Sequence, residues 1–255
     1  MDLWFRDFGG DGPPLVILHG LFGSSQNWAG MGRRLAAVGR VFALDLRNHG
    51  ESPHAPTHTL DDCIQDLADW SDAHAAGPLR LVGHSMGGLV AMGFALRHPA
   101  RTAAVASIDI APRPYPLEHG PELQALKTDI GGCRSRVDLD ALLLPILPDA
   151  RTRQFIMTNA ARDGDGFRWK PNVAVLEHRQ VASDWGSMTG RYDGAALLAA
   201  GGRSDYVRPD DHELMRRFFP RARIEVLPGA DHWMHVTAAD ALESLLSAFL
   251  RTTMQ

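Results

Sequence analysis

The chain has 255 residues, a formal net charge of −4, 45% hydrophobic and 22% charged residues. Those proportions describe a soluble globule with one sizeable core and argue against nucleic acid or any other polyanion as a partner. Cys63 and Cys133 lack metal-ligand spacing and are read as small buried side chains, and no apolar run approaches the roughly 18 residues of a membrane span.

The opening MDLWFRDFGGDGPP is acidic and broken by glycine and proline, so it does not read as a signal peptide and a cytoplasmic location is expected. Residues 3–8 predict a first strand, closed by Gly9, Gly10 and Gly12. Residues 15–18 (LVIL) are continuously apolar, as in a strand covered on both faces. The loop 19–23 follows, then a helix over 28–38 and a second buried strand at 40–44. Residues 45–53 read as a structural turn held by Arg47, Asn48 and His49. A helix is predicted over 60–76, a strand at 79–82, a helix over 86–97 stopped by His98-Pro99, and a strand at 103–110. Strands and helices alternating at this spacing mean βαβ units and a mostly parallel sheet.

The alternation then stops. Pro112, Pro114 and Pro116 mark a linker, and helical segments are predicted near 121–130, 139–147 and 152–161, with no clean strand before Arg191. Strand and helix resume at 195–200, 210–219, 223–227 and 238–250. The expected organisation is an α/β core from residues 1–111 and 192–255, with a mainly helical insertion, 112–191, lying over it as a cap.

Within this frame, Gly83-His84-Ser85-Met86-Gly87 joins a predicted strand to a predicted helix. A G-x-S-x-G turn there is too sharp for side chains at its glycine positions, and it thrusts the serine hydroxyl clear of the sheet. The next helix aims its unpaired N–H groups at the same place, so the Met86 amide is set to meet a developing oxyanion. A serine hydroxyl needs a base. Of twelve histidines, His232 leaves the last predicted strand at the edge that carries Ser85. His235 falls toward the final helix, and His49 and His84 are read as loop-holding.

These stretches, with His19-Gly20-Leu21-Phe22-Gly23-Ser24 and Gly229-Ala230-Asp231-His232-Trp233, resemble the α/β-hydrolase superfamily over nearly the whole chain. Three phrases resemble more narrowly the small capped esterases of the YbfF and ABHD-eleven type: Asp45-Leu46-Arg47-Asn48-His49-Gly50, Ile108-Asp109-Ile110-Ala111-Pro112 and Arg168-Trp169-Lys170-Pro171-Asn172. The resemblance implies an α/β-hydrolase fold and an oxyanion hole built from the backbone amides of Leu21, or Phe22, and Met86. It offers two carboxylates to orient His232. Asp109 matches the narrower group and is taken first; Asp205 matches the commonest place in the superfamily and stays open as the alternative. Phe22, Trp169 and Trp185 are the candidate substrate walls. Leu142 to Leu147 and Phe155 to Met157 are read chiefly as the cap's own core.

The expected function is a serine carboxylesterase acting on short- to medium-chain esters, or thioesters, through an acyl-serine, with no metal or cofactor and with a small-molecule ester, not nucleic acid or membrane, as its partner. The same scaffold also supports a cofactor-free haloperoxidase or perhydrolase, a carbon–carbon bond hydrolase, or a non-catalytic ligand receptor.

Overall fold

The computed structural model describes residues 1–116, 120–178 and 180–253. Residues 117–119 and 179, within the predicted insertion, lie outside the described residues, as do 254–255 at the end of the predicted core. The chain opens with strands β1 (Phe5–Gly9) and β2 (Pro14–Leu18), helix α1 (Ala29–Leu35) and strand β3 (Arg40–Leu44). Helix α2 (Leu60–His74), strand β4 (Leu79–His84), helix α3 (Met86–Arg97) and strand β5 (Thr102–Ile108) follow. β2 and β4 are buried at every position, as continuous apolar runs require in a sheet covered on both faces.

The insertion carries helices α4 (Pro121–Leu126), α5 (Arg136–Leu143) and α6 (Ala150–Met157). Two strands then appear where none was predicted, β6 (Ala160–Asp163) and β7 (Gly166–Trp169), paired as an antiparallel hairpin. The helix expected to run on to residue 161 stops at Met157, because Gly164 turns the chain with φ +54° and Gly166 lies against the backbone of Gly131. Short helices α7 (Val173–Leu176) and α8 (Gln180–Asp184) complete the insertion. The core resumes with strand β8 (Ala195–Gly201), helix α9 (Asp211–Phe218), strand β9 (Ala222–Leu227) and helices α10 (Met234–Thr237) and α11 (Ala239–Arg251).

The main sheet has the order β1-β3-β2-β4-β5-β8-β9, with β1 antiparallel and every other pairing parallel. One face packs on α2 and α3 through Ile64, Leu67, Trp70, Leu89 and Phe94. The other packs on α1 and α11 through Leu35, Leu242, Leu246 and Phe249. The insertion has its own small core of Leu123, Leu126, Leu139, Leu143, Ile156 and Phe167, into which Phe22 reaches from the sheet edge. Leu143, Leu147, Ile156 and Met157 are buried in that cluster, whereas Leu142 and Leu144 are exposed.

Parallel pairing gathers the carboxyl ends of β2, β4, β5, β8 and β9 at one edge, where open α/β sheets bind ligands. The turn 45–53 braces that edge as the sequence predicts. Asp45 accepts from the Ser25 amide at 2.6 Å and the Glu51 amide at 2.8 Å. Arg47 grips Asp66 with two hydrogen bonds, Nε–Oδ2 at 2.6 Å and Nη2–Oδ1 at 2.8 Å, both side chains being nearly buried. Asp66→Ala strips the nearly buried Arg47 of its two-pronged partner and leaves it, among carboxylates, only Asp62 at 3.1 Å, so the change is expected to cost about 3 kcal/mol, measured by urea unfolding.

Candidate active site

β4 ends at His84 and α3 begins at Met86, leaving Ser85 alone in the elbow with φ 52° and ψ −123°. A non-glycine residue holds that geometry only where the surroundings enforce it. A side chain at Gly83 would place its Cβ 2.2 Å from the Gly87 carbonyl oxygen, and one at Gly87 would sit 2.4 Å from the Leu18 carbonyl oxygen. Both atoms belong to the backbone, so neither moves aside. Gly87→Ala is expected to destabilise the fold by about 1–3 kcal/mol, readable as a lowered thermal midpoint.

Phe22 and Asp109 also have positive φ, 60° and 51°, so strained backbone clusters at this edge. Asp109 follows β5 and its side chain is fully buried. Its Oδ1 accepts from the Gly201 amide at 2.8 Å, and its Oδ2 accepts from the Ser204 hydroxyl and, at 2.7 Å, from His232 Nδ1. Nδ1 therefore carries a proton toward Asp109, and in the neutral ring Nε2 is then the acceptor, the tautomer a general base needs. His232 and Ser85 line the same cavity. Asp205 lines a neighbouring cavity instead, and among the described residues it is Asp109 that pairs with Nδ1.

The Met86 amide is the first of α3, among the amides a helix leaves without an internal acceptor. Leu21 borders both cavities that meet at Ser85. The Phe22 amide is already committed, donating to His49 Nε2 at 3.2 Å, while Phe22 borders the His232 cavity and packs into the insertion's core. Trp169 and Trp185 line neither cavity. Trp169 donates its indole N–H to the Thr128 carbonyl at 2.9 Å, and Trp185 is buried in the main core against Phe218. Sequence reasoning missed Tyr206, whose ring stacks on His232 at 3.8 Å, and Ser204; neither sits in a motif.

Beneath the site lies a run of buried histidines. His84 donates Nε2–H to the His232 carbonyl oxygen at 2.8 Å, tying the end of β4 to the loop that carries His232. His19 Nε2 accepts from the Leu46 amide at 3.0 Å while Nδ1–H donates to Gly20, and His49 is held the same way between Phe22 and Arg47. His49 and His84 thus hold loops, as the sequence predicts. Burial pushes down the proton affinity of His19, His49 and His84; it takes His58 down to about 3 and His235 to about 4.

The unfolded chain takes these protons as pH falls through about 6.5, and the folded chain resists, so the stabilisation is complete above that range and is lost below it. Each group contributes up to about 1.4 kcal/mol per pH unit until its folded value is reached. The urea midpoint is expected to fall steeply between pH 7 and pH 5, before most carboxylates titrate.

Among the described residues no group of histidine, cysteine or acidic side chains is arranged to hold a metal ion, and no helix is long and apolar enough to cross a membrane. Both cysteines are buried and free.

The chain is 34% identical over 248 residues to the mouse protein named sn-1-specific diacylglycerol lipase ABHD11, covering 93% of this chain and 81% of the relative. It is 31% identical over 239 residues to esterase YbfF of Escherichia coli, covering 93% and 92%. A solved structure titled marine microorganism esterase superposes with a TM-score of 0.91 at 31% identity, over 97% of this chain and 99% of that one. The family described as alpha/beta hydrolase fold matches residues 13–150, and with relatives of this identity and coverage the chain belongs to the α/β-hydrolase family.

Proposed function

We propose that this protein is a serine carboxylesterase in which Ser85 is the nucleophile, His232 the general base and Asp109 the residue that orients it. The observation that carries the reading is the 2.7 Å bond between Asp109 and His232 Nδ1, made beside a cavity shared with Ser85. Relatives matched over most of the chain include one named a diacylglycerol lipase and one named an esterase, which supports ester hydrolysis as the reaction class. His232 takes the Ser85 proton as Oγ attacks the ester carbonyl, and the oxyanion sits between the Leu21 and Met86 amides. The alcohol leaves with the proton from His232, and water activated by the same imidazole releases the acid and restores Ser85. The small cavities favour short to medium acyl groups, on oxygen or on sulfur.

A fluorophosphonate probe is expected to label Ser85 in the folded protein, alongside hydrolysis of p-nitrophenyl butyrate and butyryl thioester. Absence of labelling with no turnover of either substrate overturns the reading.

A further inference from the structure

The loop after β2 closes on itself: the Gly23 amide donates to the Gly20 carbonyl at 2.9 Å, with Leu21 and Phe22 in the turn between them. Phe22 holds the third place of this turn with φ 60°. Turns with positive φ there ordinarily carry glycine, because a side chain is strained in that conformation. The loop lies against the elbow, since a Cβ added at Gly20 would come 3.2 Å from Ser85 Cβ. The surroundings must therefore hold the turn against its relaxed form, in which Phe22 returns to negative φ and the peptide joining Leu21 to Phe22 turns over.

Three grips act on Phe22. Its amide donates to His49 Nε2 at 3.2 Å, its side chain packs into the insertion's core, and its carbonyl oxygen accepts from Asn159 Nδ2 at 2.8 Å. Asn159 is a buried residue between α6 and β6 and is itself fixed. Its amide donates to the Ile156 carbonyl at 3.0 Å, and its carbonyl accepts from the Lys170 amide at 2.9 Å, across the open end of the hairpin. We infer, on the basis of the serine esterase reading, that Asn159 is a positioning residue: reaching from the insertion, its side-chain amide holds Phe22 in the strained turn that presents the Leu21 amide to the oxyanion.

The two donors of the oxyanion hole then differ in origin. The Met86 amide is set by the start of α3 and owes nothing to the insertion. The Leu21 amide sits one residue before Phe22, so its direction depends on which turn the chain adopts. Turning the peptide over takes the Phe22 N–H from His49 and swings the Phe22 carbonyl away from Asn159. Both hydrogen bonds oppose that change, and leaving buried polar groups unpaired is costly. Burial keeps His49 neutral, and with Nδ1–H donated to the Arg47 carbonyl its Nε2 stays an acceptor for the Phe22 amide.

The test uses Asn159→Ala and the isosteric Asn159→Asp, which sets an acceptor against the Phe22 carbonyl. Asn172→Ala is the control. Asn172 also ties the insertion to the core, but through Asn48 and Ala55: its Nδ2 donates to Asn48 Oδ1 at 3.1 Å and to the Ala55 carbonyl at 3.3 Å. Each variant is assayed for hydrolysis of p-nitrophenyl butyrate and for inhibition by an alkyl trifluoromethyl ketone, whose adduct with Ser85 carries its oxyanion in the hole. Deleting an oxyanion donor costs about 10²–10³ in kcat, so displacing one in Asn159→Ala is expected to cost about tenfold or more. KM should stay within about twofold, because the lost interaction is made only in the transition state. The Ki of the ketone should rise by the same factor as kcat/KM falls, and Asn159→Asp should move both further. Asn172→Ala should leave that Ki within about twofold of wild type.

The inference is overturned if folded Asn159 variants keep wild-type kcat and Ki, if kcat falls while Ki does not move, or if Asn172→Ala weakens the ketone as much as Asn159→Ala. Should Asn159→Ala fail to fold, Asn159→Ser, which keeps a shorter donor, is read by the same criteria with a smaller expected shift. Failure of the esterase reading shows elsewhere, as a wild-type protein that neither hydrolyses the ester nor is inhibited by the ketone.

Discussion

Alanine at position 85 is expected to lower turnover of p-nitrophenyl butyrate by about 10⁶, the scale of loss when a serine nucleophile is taken from a triad. The hydroxyl stands in a backbone conformation that an alanine occupies equally well, so the thermal midpoint should barely move. His232→Ala should cost about as much, and the double variant little more, because nucleophile and base act as one unit. What survives is the rate due to the amides of Leu21 and Met86 and to binding. Steady-state kinetics on the three variants, with fluorophosphonate labelling as a check, decide this; a Ser85→Ala protein keeping more than about 1% of wild-type turnover would sink the proposal.

Asp109→Asn is the second large effect. The replacement keeps shape and burial but offers an amide where His232 Nδ1–H now meets a carboxylate oxygen. An amide N–H facing Nδ1 forces the ring proton onto Nε2, the atom that must accept from Ser85. Loss of the right tautomer costs about 10⁴ in kcat. KM should change little, since the carboxylate is fully buried and borders neither cavity. Asp205→Asn, on an exposed residue of the neighbouring cavity, should leave kcat near wild type and act, if at all, through KM. Equal losses in the two variants would leave Asp109 without the role proposed for it.

Much of this arrangement was legible in the residues. The run LVIL and the alternation around it announced a parallel sheet, and α3 begins and ends where Met86 and His98-Pro99 place it. The elbow was legible because glycine is sterically forced at positions 83 and 87. The partner of His232 was not, since two aspartates each follow a strand, and which one reaches Nδ1 depends on the register of β5 against β8. The hairpin 160–169 escaped because its strands are four residues long and lie close behind a helical run; the two-residue loop Gly164-Asp165 was the signal. Trp169 and Trp185 illustrate a deeper ambiguity. An indole serves equally well against substrate or inside a core, and only packing decides.

The place of Asp109 has a consequence for how such a protein can diversify. With the carboxylate of Asp109 at the end of β5, beside the strand that leads to Ser85, the segment after β8 contributes the Gly201 amide and the Ser204 hydroxyl to that carboxylate and the Tyr206 ring to His232. Asp205 and Arg208 are exposed and border the neighbouring cavity, which Ser85 also lines. Drift at positions 205 and 208 can therefore reshape that cavity while the bond between Asp109 and His232 stays intact.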